Sequence, residues 1–170
     1  MKTLYFVLAF FVTGLFYGQS VLDTFENQDD VTAIVVNKKM FDLIGKVETN
    51  SKDTQEFLAL AKKLEILKVF ITSNTSKASE LKKASEKLLK SSNLSQLTRV
   101  KEQVGEVEVF VKTDEANSNI KELMMFVDGA SNQQSLLMYL KGDFSLSEIS
   151  VLTNKLKLPG GAILSKASKK

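Results

Sequence analysis

The stretch EVEVFVKTDEANSNIKELMMFVDG, Glu106 to Gly129, decides the fold class of this chain. Apolar residues take every second position on both sides of a polar segment. They are Val107, Val109 and Val111 before it and Leu123, Met125 and Val127 after it. Because side chains alternate between the two faces of a strand, this pattern predicts two strands that share a buried face and are joined by a turn.

The polar segment between these strands offers oxygen atoms of the kind that bind calcium. Its order differs from the calcium-loop pattern D-x-[DN]-x-[DN]-G, because Ala116 and Ser118 stand at two ligand positions and no Gly allows the sharp bend. Asn and Asp also favour turns, since their side chains bond to nearby backbone. We therefore interpret the segment as a hairpin bend and predict no metal site there. Its polar residues are Asp114, Glu115, Asn117 and Asn119.

Other segments predict further strands and helices. Strands are expected at 31–37, at 65–73, at 97–101 and around Leu136, Met138 and Leu140. Between Leu94 and Val104 the helical and strand periods compete, and we favour an edge strand. Helices are expected at 38–47, at 53–64, at 77–90 and after Ser145.

Capping residues and apolar stripes support these helices. The capping patterns are Asn37, Asp53 with Glu56, and Ser145 with Glu148. The predicted buried stripe of the first helix consists of Met40, Leu43, Ile44 and Val47. The methionines, including Met124, Met125 and Met138, lie in apolar periodic segments, so we interpret them as core residues rather than as an adaptable binding surface.

The order of these elements favours one α+β domain over residues 21–158. Helices gather in the first half and antiparallel strands in the second, which predicts a mostly antiparallel sheet with a C-terminal β-meander and helices packed on one face. Pro159, Gly160 and Gly161 end the last helix. Residues 159–170 are expected to form a flexible basic tail.

Residues 1–20 have the layout of a secretory signal peptide. Lys2 precedes an uncharged apolar run from Leu4 to Tyr17, and small residues follow before Val21. The rival interpretation is a retained membrane anchor, but the run is shorter than the roughly 18–20 residues that span a bilayer. We therefore expect an exported protein, periplasmic or extracellular, with no stable membrane insertion after cleavage. A lipoprotein anchor would need a Cys, and the chain has none.

The composition excludes several function classes. Without Cys or His, the chain has no disulfide, no thiol nucleophile, no ordinary zinc site and no Ser-His-Asp triad. Lys2 lies in the signal segment, so the mature chain carries 22 of the 23 Lys and Arg residues against 20 Asp and Glu. That balance argues against nucleic acid as a partner, as does the presence of a single arginine, Arg99.

Two sets of charged residues are candidates for function. The predicted helix at 77–90 is rich in lysine, which would suit anionic lipid or polysaccharide, but a solvated face explains it better. Its charged residues are Lys77, Glu80, Lys82, Lys83, Glu86, Lys87 and Lys90. Pairs of carboxylates could serve acid–base chemistry, yet nothing in their spacing predicts that they face each other across a cleft. The pairs are Asp29 with Asp30, Glu106 with Glu108, and Asp143 with Glu148.

Several segments together resemble a known bacterial family. The segments are F-x5-VTAIVVNKKMFDLI from Phe25, VFITSN from Val69, the stretch quoted at the outset, and SLLMYLKGDFSLSEISVL from Ser135. They resemble the family called domain of unknown function 4252, over about Val21 to Leu158. The resemblance implies an exported α+β domain of Gram-negative bacteria. Members often carry a lipoprotein Cys, which this chain lacks, and they occur near extracytoplasmic sigma-factor genes, which implies a link to envelope stress or signalling. The family has no established activity, so the resemblance assigns no catalytic, cofactor-binding or metal-binding residues.

Three functions stay open at this point. The expected one is a non-enzymatic domain that acts through contact with an envelope or extracellular protein, without a cofactor. A hydrolase that uses only carboxylates would need two of them facing each other about 5–9 Å apart. A carrier of an apolar small molecule would need a sizeable apolar pocket between sheet and helices.

We expect the exported protein to be shorter than the translated chain by about 18–20 residues, the usual length of a signal peptide. The intact mass of protein recovered outside the cytoplasm measures this difference. Retention of Met1 or Lys2 would contradict it.

Overall fold

In the computed structural model, which describes residues 21–103, 105–114, 119–129, 133–158 and 163, six strands form one sheet. The strands are β1 (Thr32–Asn37), β2 (Leu64–Thr72), β3 (Ser95–Glu102), β4 (Gly105–Thr113), β5 (Ile120–Gly129) and β6 (Ser135–Phe144). Their order is β1-β2-β6-β5-β4-β3, and every neighbouring pair is antiparallel. The competing periods near Leu97 resolve as the edge strand β3, as predicted.

The described residues also form four helices, and a short 3₁₀ turn (Asp23–Phe25) precedes them. The helices are α1 (Lys38–Ile44), α2 (Lys52–Lys63), α3 (Thr75–Ser91) and α4 (Leu146–Leu156). An antiparallel sheet with separate helices confirms the α+β class. The strands β3 to β6 follow one another in both sequence and space, which confirms the C-terminal meander.

The stretch that decides the fold pairs as its alternation predicts. Val107 lies opposite Val127, Val109 opposite Met125, and Val111 opposite Leu123 in the β4–β5 ladder. All six side chains are buried in the same core cluster. Its alternation therefore fixes both the pairing of the two strands and the face that they turn inward.

Helices cover both faces of the sheet, so the prediction that they pack on one face is wrong. One core cluster joins the sheet to α1, α2 and α4, through residues such as Phe41, Leu60 and Ile149. A second cluster lies on the opposite face, where α3 and the 3₁₀ turn contribute Leu81 and Phe25. The reason is that the central strands are apolar on both sides. Their fully buried residues on the second face include Phe70, Met124, Phe126 and Leu137.

The start of α1 is as predicted, but its orientation is not. The side chain of Asn37 accepts a hydrogen bond from the Met40 backbone N–H at 3.1 Å, which confirms it as the N-cap. The helix then buries Phe41, with Ile44 partly buried beside it. The predicted core positions Met40, Leu43 and Val47 are exposed to solvent instead.

Of the two other predicted helix starts, one is confirmed and one is wrong. The Ser145–Glu148 capping box is confirmed: the Ser145 N–H donates to Glu148 Oε2 at 2.8 Å, and the Glu148 N–H donates to Ser145 Oγ at 3.4 Å. The predicted box at Asp53 is wrong, because the N-cap of α2 is Ser51, two residues before Asp53. The Thr54 and Gln55 N–H groups both donate to the Ser51 carbonyl there.

The folded domain extends beyond its predicted end at residue 158. Ile163 is buried in the same cluster as Leu158 and Val107, so the core includes a residue of the predicted flexible tail. The remaining tail residues, 159–162 and 164–170, lie outside the described residues, as does the predicted signal peptide at 1–20.

A buried lysine ties the first described segment to the sheet. Leu22 and Phe25 are buried against the second face, where the Phe25 and Phe70 rings lie 5.7 Å apart. Lys68 Nζ donates to Asp23 Oδ1 and, at 2.6 Å, to Glu26 Oε1. Burial alone would lower the pKa of Lys68, but the hydrogen bonds and charges of the two carboxylates outweigh it and raise the pKa above its usual value.

Replacing Lys68 by Ala is expected to lower the free energy of unfolding by about 2 kcal/mol at neutral pH, because two partly buried carboxylates lose their cation. The folded state favours the charged lysine. This contribution is therefore complete below the usual lysine pKa of 10.5 and is lost as the pH rises through the higher folded pKa. Chemical denaturation over a pH series measures both effects.

The matched control is Lys83→Ala, which truncates an exposed lysine of α3 and should change stability by less than about 0.5 kcal/mol. A Lys68→Ala loss no larger than that of the control would contradict the anchoring role of Lys68.

Candidate functional site

Three apolar side chains of the α1 region face solvent. Met40 is 46% exposed, Leu43 60% and Val47 56%. Positions three and four apart lie on one side of a helix, and Val47 continues that side because its N–H donates to the Ile44 carbonyl just past the helix end. We call these three residues the α1 stripe. Phe41 occupies the core on the neighbouring side, so the stripe cannot turn inward without removing Phe41 from the core.

An open groove continues the α1 stripe toward α2. It has a volume of about 450 Å³ and is lined by Val47, Glu48, Gln55, Leu58 and Lys62, among others. The loop at its rim is held by Gln55 Nε2, which donates to the Thr49 carbonyl at 3.1 Å. At Gly45 an added Cβ would lie 2.7 Å from Lys62 Cγ, so glycine is what allows α1 and the Lys62 side chain to approach here.

Basic side chains surround the stripe and the groove. Lys39, Lys46 and Lys62 are exposed around them. Lys38 is instead paired with Asp42 at 2.5 Å on the same helix, and it also donates to the Lys62 carbonyl at 3.3 Å. The surface is therefore an apolar centre with a mainly basic rim.

The predicted hairpin bend is held by contacts among its ends and β6. The Asp114 N–H donates to the Asn119 carbonyl at 2.7 Å, and Asn119 Nδ2 donates to Asp143 Oδ1 at 2.6 Å. Lys121 Nζ lies 2.9 Å from Asp143 and 3.3 Å from Asp114. The hydrogen bond from Lys121, and then that from Asn119, lower the pKa of Asp143. Glu115 and Asn117 lie outside the described residues.

The described carboxylates around this bend therefore have a cationic partner: Asp114 and Asp143 both contact Lys121, and Asp143 also accepts from the Asn119 amide. Within the described part of the chain, no group of three or more Asp, Glu, His or Cys residues is placed to hold a metal ion. The antiparallel pairing of β4 with β5 supports the interpretation as a hairpin.

The Glu106–Glu108 pair is brought together by a cation. Arg99 Nε lies 2.7 Å from Glu106 Oε1 and 3.6 Å from Glu108 Oε1. The hydrogen bond from Arg99 lowers the pKa of Glu106. These two carboxylates therefore serve as partners of a guanidinium.

In the Asp143–Glu148 and Asp29–Asp30 pairs, Glu148 and Asp30 also make hydrogen bonds that hold the fold. Glu148 accepts from Lys63 Nζ at 2.6 Å in addition to its capping bond. Partial burial alone would raise the pKa of Glu148, but the hydrogen bonds from Lys63 and Ser145 outweigh it and lower the pKa. Asp30 lies in a left-handed turn, with φ 62°, and accepts from Asn74 Nδ2 at 3.0 Å.

The lysine-rich helix presents mixed charge to solvent. On α3, Lys82 Nζ pairs with Asp128 at 2.7 Å and Lys77 with Glu80 at 3.1 Å. The hydrogen bond to Asp128 raises the pKa of Lys82. The remaining charged residues, Lys83, Glu86, Lys87 and Lys90, are exposed. This arrangement agrees with a solvated face.

The methionines divide into two groups. Met124, Met125 and Met138 are fully buried, which confirms them as core residues. Met40 is exposed, so the same prediction is wrong for it. The α1 stripe is thus a surface that the periodicity of the sequence assigned to the core.

A second open cavity, of about 700 Å³, lies between α3 and the ends of β5 and β6. Its lining is mostly polar and includes Thr75, Ser79, Lys82, Asp128 and Ser135. Such a lining does not suit an apolar ligand.

Comparison with protein families identifies the chain. Residues 25–152 match the family model described as Domain of unknown function (DUF4252). The chain belongs to this family. The DUF4252 match runs from the 3₁₀ turn into α4 and therefore includes the whole sheet. No curated protein and no solved structure matches the chain. Among the described residues of this DUF4252 domain, no helix is long and apolar enough to cross a membrane.

Changing Asp114, Glu115 and Asn117 together to Ala is expected to lower the Tm by only a few degrees, about 2–4 °C, because turn residues act mostly through local backbone preference. Thermal unfolding of both proteins in calcium and in EDTA measures this. A large loss of stability seen in calcium but absent in EDTA would show instead that the turn binds calcium.

Proposed function

We propose that this DUF4252 protein is an exported, non-enzymatic domain that binds another protein of the envelope or extracellular space through the α1 stripe. The observation that carries the proposal is the exposure of Met40, Leu43 and Val47, each about half exposed, on one side of a single short segment. Contiguous exposed apolar residues inside a polar rim are typical of protein interaction sites.

The shape and charge of this surface favour a protein partner. A side chain of the partner can enter the groove beside Val47, and flexible Met40 can adapt to it. Burying apolar area is worth roughly 25 cal/mol per Å², so burial of the stripe would supply the favourable free energy of binding. Lys39, Lys46 and Lys62 at the rim favour a partner with acidic residues around an apolar centre.

The carboxylates support a non-enzymatic function. A carboxylate-only hydrolase needs a general acid with a raised pKa and a second, ionised carboxylate facing the same substrate. The pKa values of Glu106, Asp143 and Glu148 are lowered by their basic partners, which suits ion pairing rather than proton donation. The apolar carrier is less well supported, because the cavity beside α3 is open and polar.

Export rests on the sequence of residues 1–20 and on the position of the first core residue. Leu22 is fully buried, so a domain that begins just after residue 20 keeps every core residue that the structure describes. Cleavage near Val21 is consistent with this boundary. A role in envelope signalling or stress is the setting that the family resemblance implies.

A photo-crosslinking amino acid at Leu43, in the protein exported by its own host, is expected to capture one partner. The same crosslinker at Val47 should capture the same partner. The double substitution Met40→Lys and Leu43→Lys should abolish this Val47 product. Both positions are exposed and lysine suits a helix, so stability should change by less than about 0.5 kcal/mol.

The control places the same crosslinker at Lys87 on the exposed side of α3. Identical products from Lys87 and Leu43, or a product that survives the double substitution, would contradict binding through the α1 stripe.

A further inference from the structure

Among the described strands, β1 lies at one edge of the sheet. It pairs with β2 through six consecutive residues, from Thr32 opposite Ile71 to Asn37 opposite Ile66, without a bulge. No described strand pairs with its other side. In an antiparallel strand, alternate residues direct their N–H and C=O groups away from the neighbour, so this side presents a regular row of donors and acceptors.

The two edges of the sheet differ in how they are protected. The opposite edge, β3, carries Arg99 and Lys101 and has an irregularity between Gln96 and Thr98. Charges and bulges of this kind discourage pairing with another chain. The β1 sequence TAIVVN contains no charge and no proline, and its pairing with β2 is regular. The β1 edge is therefore the one suited to accept a strand.

The open edge is apolar on both faces. Ile34 and Val36 pack partly buried against the first core cluster, and Ala33 packs partly buried against the second. Val35 is also only partly buried. A strand that completes this edge must therefore be apolar on both of its own faces, and a second β1 meets that requirement.

The charges at the two ends of β1 select an antiparallel copy. Asp29 and Asp30 precede the strand, Lys38 and Lys39 follow it, and all four are exposed. If two copies pair antiparallel about Ile34, the turn at Asp29 and Asp30 of one copy lies beside the start of α1, with Lys38 and Lys39, of the other. Each acidic end of the strand then meets a basic end. A parallel pairing would place like charges together.

We propose that two copies of this chain associate by antiparallel β1–β1 pairing about a two-fold axis at Ile34, which joins their sheets into one. In this register Ala33 lies opposite Val35 and Thr32 opposite Val36, so residues of the same face meet and both core clusters continue across the interface. The contact is isologous and closes at two copies. It goes beyond the proposed function and does not involve the α1 stripe.

A single strand pair is smaller than the roughly 800 Å² per partner of a standard interface, so we expect a dissociation constant on the order of 10 μM. Sedimentation velocity of the exported protein, from about 1 to 200 μM, measures it. The expected result is a reversible monomer–dimer equilibrium. Val35→Lys should weaken it at least tenfold, while Gln96→Lys on the opposite edge should leave it unchanged.

Charge reversal tests the register through Asp29 and Lys39, two exposed residues outside the strand. Asp29→Lys alone and Lys39→Asp alone should each weaken the dimer about tenfold, because two like-charged contacts replace two attractive ones. An equal mixture of the two variants, and the double variant in one chain, should both restore association.

Three results would overturn the proposal. The first is a protein that stays monomeric at all concentrations, and the second is a dimer more sensitive to Gln96→Lys than to Val35→Lys. The third is a dimer that neither the mixture nor the double variant restores. The α1 variants Met40→Lys and Leu43→Lys should leave self-association unchanged, so a failure of this proposal is distinguishable from a failure of the proposed function.

Discussion

Strands that are apolar on both faces are the constraint on which the rest of this structure depends. Neighbouring residues of a strand point to opposite faces, yet in the central strands both members of such neighbours are fully buried. Examples are Val69 with Phe70, Met124 with Met125, and Leu136 with Leu137. Apolar burial near 25 cal/mol per Å² is lost wherever either face meets water, so both faces need cover. The chain provides it with α1, α2 and α4 on one face and with α3 and the 3₁₀ turn on the other.

Features encoded by local chemistry were predictable from the sequence. The β4–β5 pairing follows from alternation around the polar turn, and the starts of α1 and α4 follow from Asn37 and from Ser145 with Glu148. The prediction that helices pack on one face was wrong because it rested on the alternation in β5. It did not take account of the consecutive apolar residues Met124, Met125 and Phe126. That run was the available signal for a core on each face.

The orientation of α1 could not be predicted in the same way. Its seven residues hold apolar side chains on adjacent sides, and helical spacing alone does not say which side meets the sheet. Since α1 follows β1 directly, the end of the strand sets the direction of the helix, and Phe41 packs into the core. The α1 stripe is therefore a product of tertiary geometry. The α1 stripe and the β1 edge both belong to the continuous segment 29–47. The sheet is therefore apolar at its β1 edge and charged at its β3 edge.

The burial of Leu22 would link the completion of this fold to the proposed export. Leu22 is fully buried, and Asp23 and Glu26 hold Lys68 across more than forty residues of chain. With the proposed signal segment still attached, Leu22 would lie within roughly 7 Å of chain held at the membrane, the reach of two extended residues. If export is as proposed, docking of this segment on the second core cluster would follow release of the signal segment. Removal of the signal segment would thus control when folding is completed, and the protein would reach its full stability only after export.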